Sequence, residues 1–171
     1  MLLEGLQLPL LTPFYPDGRL NLRKLEQNVA AYSKTPAAGL AVLSEHGEPS
    51  MLSDEETRLA LRTAIDAAAA TKVMLAGVFR DSVRETLALA DAAASFGYDA
   101  VLVAQPSFLR TAGQPRRFRE LLTYFQTVAD RSAIPLVLSS AARDKVFPAE
   151  IVAELASHPR IIGLVEGPLA A

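Results

Sequence analysis

Two carboxylates and an imidazole lie side by side in Ser44-Glu45-His46-Gly47-Glu48, directly after the apolar run Gly39 to Leu43. Imidazole beside carboxylate suits proton transfer near neutral pH, and the same donors could contribute to an oxygen-rich metal site. The other histidine, His158, falls before a different apolar run, so no second imidazole is at hand, and neither a metal nor a cofactor is expected. Location favours a functional reading, because ligands of parallel α/β proteins bind in loops at the carboxyl ends of strands. The competing reading is a solvated loop in which Glu48 caps local backbone donors. Amines are scarce: of Lys24, Lys34, Lys72 and Lys145, only Lys145 follows a strand-like run, and Asp144 beside it marks a solvated loop. Arg110, Arg116, Arg117 and Arg119 bracket a helix start, where they suit an anion or form a solvated or subunit-contact face.

The elements that must position these groups follow a regular alternation. Apolar runs of strand length occur at Leu6 to Leu11, Gly39 to Leu43, Val73 to Val78, Ala100 to Ala104, Leu136 to Leu138 and Ile161 to Val165. Helical spacing fills the gaps: Leu22, Leu25, Val29 and Tyr32 behind an Asn21 cap, and Phe118, Leu121, Leu122, Phe125 and Val128 further on. Ser53 with Glu56, and Ser82 with Glu85, have the S-x-x-E spacing of a capping box, and Gly97 supplies a helix stop. Apolar strands that each lead into an amphipathic helix predict a parallel sheet covered by helices. Leu11-Thr12-Pro13-Phe14-Tyr15-Pro16-Asp17-Gly18 follows the first run where a nucleotide-binding sheet would carry a glycine-rich phosphate loop, which disfavours that class.

Composition narrows the function classes. Half of the 171 residues are hydrophobic, enough for a substantial core, and one domain over 1–171 is expected. Net charge is -2 with both signs interspersed, so neither nucleic acid nor a membrane surface is an expected partner. Absence of cysteine excludes disulfides, thiolate metal sites and cysteine nucleophiles. Met1 to Phe14 lacks a basic flank and is broken by Pro9 and Pro13, so neither a secretory signal nor a membrane span is expected and cytoplasm is the expected compartment.

Taken in order, Leu11-Thr12-Pro13-Phe14 with Asp17-Gly18, Gly47-Glu48, Leu52-Ser53-Asp54-Glu55-Glu56, Ala76-Gly77, Ala100-Val101-Leu102-Val103, Pro135-Leu136-Val137-Leu138 and Gly163-Leu164 resemble the dihydrodipicolinate synthase and N-acetylneuraminate lyase family. The resemblance covers nearly the whole chain and implies an α/β fold, an incomplete (β/α)8-type barrel with about six parallel strands. Eight-unit barrels typically need about 250 residues. The chain is then a fragment, part of an oligomer or a reduced fold, and open strand edges favour homo-oligomers.

The family's members are class I aldolases, in which a lysine on the sixth strand forms a Schiff base with pyruvate or a related 2-oxo acid. A tyrosine on the fifth strand relays protons, helped by hydroxyls after the second strand. At the matching positions this chain has Val165 for the lysine, Ser139 for the tyrosine, and Glu45 and His46 for two threonines. Valine has no amine for an imine, and a serine hydroxyl is a far weaker acid than a phenol. Arg143 matches an arginine associated with a substrate carboxylate, which a guanidinium holds through paired hydrogen bonds. Asp144 next to it could act as an internal counter-ion. Phe108 aligns with a family tyrosine and reads as packing. The resemblance therefore implies a binder of a small 2-oxo acid or other carboxylate through Arg143, Glu45, His46, Gly47, Glu48 and Ser139, without the usual lyase reaction. The alternatives are a non-catalytic assembly or partner-binding relative and a truncated reading frame.

Overall fold

Asn21 starts the first helix as its side chain dictates: Oδ1 accepts the Lys24 N–H at 2.9 Å. The computed structural model describes residues 2–109, 116–140 and 147–166, with the side chains of 116 and 117 excepted. The strands are β1 (Gln7–Pro9), β2 (Gly39–Val42), β3 (Val73–Gly77), β4 (Ala100–Ala104), β5 (Leu136–Ser140) and β6 (Ile161–Glu166). Between them lie α1 (Leu22–Tyr32), α2 (Asp54–Ala67), α3 (Val83–Phe96), α4 (Arg116–Arg131) and α5 (Ala149–Leu155). The sheet order is β1-β2-β3-β4-β5-β6. Sequence order without reversal distinguishes this sheet from a doubly wound one, whose order switches part-way. It is the order of six successive units of a (β/α)8 barrel.

The chain packs as two compact units, Met1–Gly77 with Ala92–Ala100, and Val78–Asp91 with Val101–Ala171. In the first unit, β1, β2 and β3 pair in parallel, with Gln7 opposite Gly39 and Gly39 opposite Val73. β1 is shorter than its apolar run; its hydrogen bonding to β2 carries past Pro9 to Leu10, whose N–H reaches Ala41 O at 2.9 Å, and Leu11 is 69% exposed. α2 begins in a complete capping box: Glu56 N–H donates to Ser53 Oγ at 3.2 Å, and Ser53 N–H to Glu56 Oε2 at 2.9 Å. Asp54, Glu55 and Glu56 in its first turn complement the helix dipole. Leu25, Val29, Leu40, Leu61 and Ala64 are buried in this unit, and Tyr98 hydroxyl donates to Leu61 O at 2.8 Å.

In the second unit, Ser82 caps α3 by accepting the Glu85 N–H at 3.2 Å, as the spacing predicts. Phe125 of α4 is fully buried, with the rings of Tyr124 and Phe147 edge-on at 5.1 and 5.2 Å. Tyr124 hydroxyl shares a hydrogen bond with Thr86 hydroxyl at 2.9 Å and reaches Arg80 O at 3.2 Å. β4 pairs with β5, and β5 with β6, all in parallel. The register slips between Leu136 and Val137, which face Ile161 and Gly163, so Ile162 is an extra residue and Ser139 comes opposite Val165. β5 extends past its apolar run because Ser139 and Ser140 continue the ladder.

Candidate functional site

At the end of β2 the backbone turns sharply: Leu43 takes φ 53°, a left-handed conformation unusual for a branched side chain. A 3-10 turn over Glu45–Gly47 follows, then Glu48 at φ 53° and ψ 45°, then a second turn over Pro49–Met51 that leads to the Ser53 cap. The first turn closes through Gly47 N–H to Ser44 O at 2.8 Å, the second through Met51 N–H to Glu48 O at 3.0 Å. Thr12, in the loop after β1, donates from Oγ1 to Gly47 O at 2.5 Å and ties the turn to that loop. Gly47 is buried, and a Cβ there would lie 3.3 Å from both Leu10 O and Thr12 Oγ1, closer than most side chains tolerate. The turn thus presents Glu45 half-buried and His46 and Glu48 exposed. Glu48 makes no capping hydrogen bond to the turn it starts; the capping role falls to Ser53 and Glu56.

Two further residues matter here for reasons that residue type and spacing do not signal. Ser44 is 7% exposed, and its hydroxyl has no hydrogen-bond partner among the described residues. Gly77, at the end of β3, lies under the turn, where a Cβ would fall 1.8 Å from Leu43 O. Thr12 could have been singled out from its Leu-Thr-Pro-Phe setting, whereas Gly77 acquires its role only through tertiary contact.

In the second unit, Ser139 is buried at the carboxyl end of β5, opposite Val165, which is 39% exposed. Next to this pair, Ser140 Oγ donates to Glu166 Oε1 at 3.1 Å. Arg143, Asp144, Lys145 and Arg110 lie outside the described residues. The remaining lysines stand away from carboxyl ends: Lys24 within α1, Lys34 in the turn after it, and Lys72 just before β3, its Nζ donating to Thr35 O and Ala37 O at 2.7 and 2.5 Å. His158 precedes β6, as expected. Its Nδ1 accepts the Arg160 N–H at 3.1 Å, so Nε2 carries the proton and donates to Asp130 Oδ1 at 3.0 Å. Among the described residues, no three His, Asp or Glu side chains cluster as metal ligands do.

Phe108, expected to pack, is instead 61% exposed. With Val83, Leu109, Arg119, Thr123 and Tyr124 it lines an open groove of about 500 Å³. Burial of the Tyr124 phenol in this region pushes its pKa up to about 12. Burial likewise raises that of Tyr98. Both phenols stay protonated across the physiological range, serving as neutral hydrogen-bond donors inside the core.

The sequence pattern of the dihydrodipicolinate synthetase family matches residues 2–168. The chain belongs to that family. Among its relatives, the 4-hydroxy-tetrahydrodipicolinate synthase of Xanthomonas campestris pv. campestris is 35% identical over 173 residues, which cover 97% of this chain and 54% of the relative. The L-threo-3-deoxy-hexylosonate aldolase of Hypocrea jecorina is 32% identical over 167 residues, or 93% of this chain and 52% of the relative. The chain thus spans about half the length of these dihydrodipicolinate synthetase-family relatives. The crystal structure of N-acetylneuraminate lyase from Mycoplasma synoviae superposes with a TM-score of 0.82 at 21% identity, over 97% of this chain and 55% of that one. The likeness establishes the fold, a six-strand portion of a TIM barrel. No helix among the described residues is long and apolar enough to cross a membrane.

Proposed function

We propose that this member of the dihydrodipicolinate synthetase family binds a small 2-oxo acid or other carboxylate without forming a Schiff base on β6. The observation that carries the reading is the pairing of Val165 with Ser139 at the carboxyl ends of β6 and β5. By the family resemblance these are the lysine and tyrosine positions, and here they hold neither an amine nor a phenol. Arg143 is the residue that would hold the carboxylate through its guanidinium, and Glu45, His46, Gly47, Glu48 and Ser139 are the other candidate binding residues. The names of the relatives support an acid ligand, since hexylosonate and dipicolinate are carboxylates. Cytoplasmic location and assembly as a homo-oligomer belong to the same reading.

Incubation with pyruvate and borohydride followed by intact mass measurement tests it. The expected result is no reduced adduct, together with saturable pyruvate binding that Arg143→Ala abolishes. An adduct that disappears in Lys145→Ala would show imine chemistry from a displaced lysine and overturn the reading, as would the absence of any saturable binding.

A further inference from the structure

Asp17 is the one aspartate in the chain that a glycine follows, and neither asparagine has a glycine after it. Aspartyl-glycine is the pairing in which a backbone most readily attacks its own side chain, because glycine has no Cβ to shield its nitrogen. In the first unit this pair forms the tip of a small hairpin. Phe14 and Leu20 bridge antiparallel, Tyr15 N–H donates to Arg19 O at 2.8 Å, and Gly18 N–H donates to Tyr15 O at 2.9 Å. Pro16 suits the first corner of such a turn, and Gly18 at φ +85° supplies the left-handed residue that closes it. No atom beyond its chain neighbours lies within 4 Å of where a Gly18 Cβ would stand, so the tip is open.

One residue holds the carboxylate at this tip. Arg19 donates its backbone N–H to Asp17 Oδ1 at 3.1 Å and its Nε to Oδ2 at 2.7 Å, so both oxygens are engaged. The guanidinium also stands 5.5 Å from the centre of the Tyr15 ring. With the Arg19 side chain 78% exposed, such an ion pair adds little to stability. It bears on reactivity instead. A carboxyl carbon accepts a nucleophile in its neutral form, and the Arg19 N–H first and its guanidinium second hold the Asp17 carboxyl below its ordinary range, which keeps it ionised.

We propose that the Asp17-Gly18 bond is a site of backbone self-modification, where the chain rearranges to isoaspartate at a rate held down by the Arg19 clamp. Gly18 nitrogen attacks Cγ of the protonated Asp17 carboxyl. An N–C bond forms, a C–O bond breaks, and the amide hydrogen leaves with the carboxyl hydroxyl as water, which gives a five-membered succinimide. Water then attacks the Asp17 main-chain carbonyl and breaks its bond to Gly18 nitrogen. The lost mass is restored, and the chain now runs through the Asp17 side chain. Two contacts must give way first: Gly18 N–H must release Tyr15 O, and the carboxylate must leave Arg19.

The test incubates the 171-residue chain in mildly acidic buffer made with heavy-oxygen water, beside a synthetic peptide of residues 12–22 that supplies the unclamped rate. Mass measurement with fragmentation reads the heavy oxygen gained at Asp17, and methyl transfer from S-adenosylmethionine by an isoaspartyl methyltransferase counts the product. The folded chain should gain label at least tenfold more slowly than the peptide. Arg19→Ala, with unaltered circular dichroism, should gain it at least fivefold faster than the parent chain. Arg19→Met, which keeps the length of the side chain without its charge, should do the same. Asp17→Glu, which would need a six-membered ring, should gain none. The proposal is overturned if the folded parent is labelled as fast as the peptide, or if both Arg19 variants fold and are labelled no faster than the parent. It is equally overturned if neither label nor a methyl acceptor appears at Asp17 in those variants.

Discussion

The turn that carries Glu45 and His46 depends on a missing methyl group at Gly77. A Cβ built there stands 1.8 Å from Leu43 O and 2.5 Å from its carbonyl carbon. Close carbon–oxygen contacts begin at about 3.3 Å, so Gly77→Ala requires the Leu43 carbonyl to retreat by roughly 1.5 Å. That retreat falls on a residue already at φ 53°, with Ser44 N 3.2 Å from the same point. Overpacking of this kind costs about 1–3 kcal/mol, and the upper end applies because the obstacle is backbone rather than a side chain that can rotate away. With a urea m-value of about 2 kcal/mol/M, a loss of about 3 kcal/mol lowers the unfolding midpoint by about 1.5 M. Gly97→Ala is the matched control: at φ +98° with nothing within 4 Å, it tests conformational strain alone, about 1–2 kcal/mol. Urea melts followed by circular dichroism compare the two variants. A Gly77→Ala midpoint equal to or above that of Gly97→Ala would refute the argument that the turn is seated on Gly77.

Ser53→Ala removes half of the α2 capping box and should lower stability by about 1 kcal/mol in the same urea melts. Ser44→Ala should be neutral or raise stability by up to about 1 kcal/mol, since it deletes a buried hydroxyl without a partner among the described residues; a loss above that size would reveal a bond to Ser44 Oγ. The unfolded chain releases a tyrosine proton near pH 10, whereas burial holds that of Tyr124 to about 12. Its contribution, on the order of 2–3 kcal/mol, is therefore complete below pH 10 and lost as pH rises through 10 to 12, so Tyr124→Phe should flatten the alkaline decline in stability measured by urea melts at each pH.

Features set by local chemistry were legible in the sequence. Asn21, Ser53 with Glu56, and Ser82 cap helices where their spacing placed them, and each apolar run coincides at least in part with a strand. What local pattern could not show was which carbonyls meet across the fold. The left-handed turn at Leu43 arises because Gly77 leaves room for it, and the isolation of Ser44 hydroxyl arises from what surrounds it after packing. Leu6 to Leu11 read as a full strand because hydropathy registers apolar side chains and not where backbone pairing ends, which here confines the strand to Gln7–Pro9. Phe108 read as packing because side-chain type indicates what could be buried, while exposure depends on the surroundings after folding.

The positions that the resemblance reads as matching the family and those that it reads as departing from it differ in what they touch. Gly47 is pressed against Leu10 and Thr12, and Gly77 against Leu43, so other side chains there disturb packing. His46 and Val165 are exposed, and a change there alters chemistry at little cost to the fold. On the proposed reading, in which Val165 stands at the family's lysine position, an amine there is separable from folding. Val165→Lys should leave the unfolding free energy from urea melts within about 0.5 kcal/mol of the parent, because the position is 39% exposed and an added ammonium can reach water. If the chain holds pyruvate beside β6, this variant alone should yield the borohydride-reduced adduct by mass measurement. A folded Val165→Lys that gives no adduct while the parent binds pyruvate would place the bound acid out of reach of β6, and the link between Val165 and the binding site would have to be abandoned.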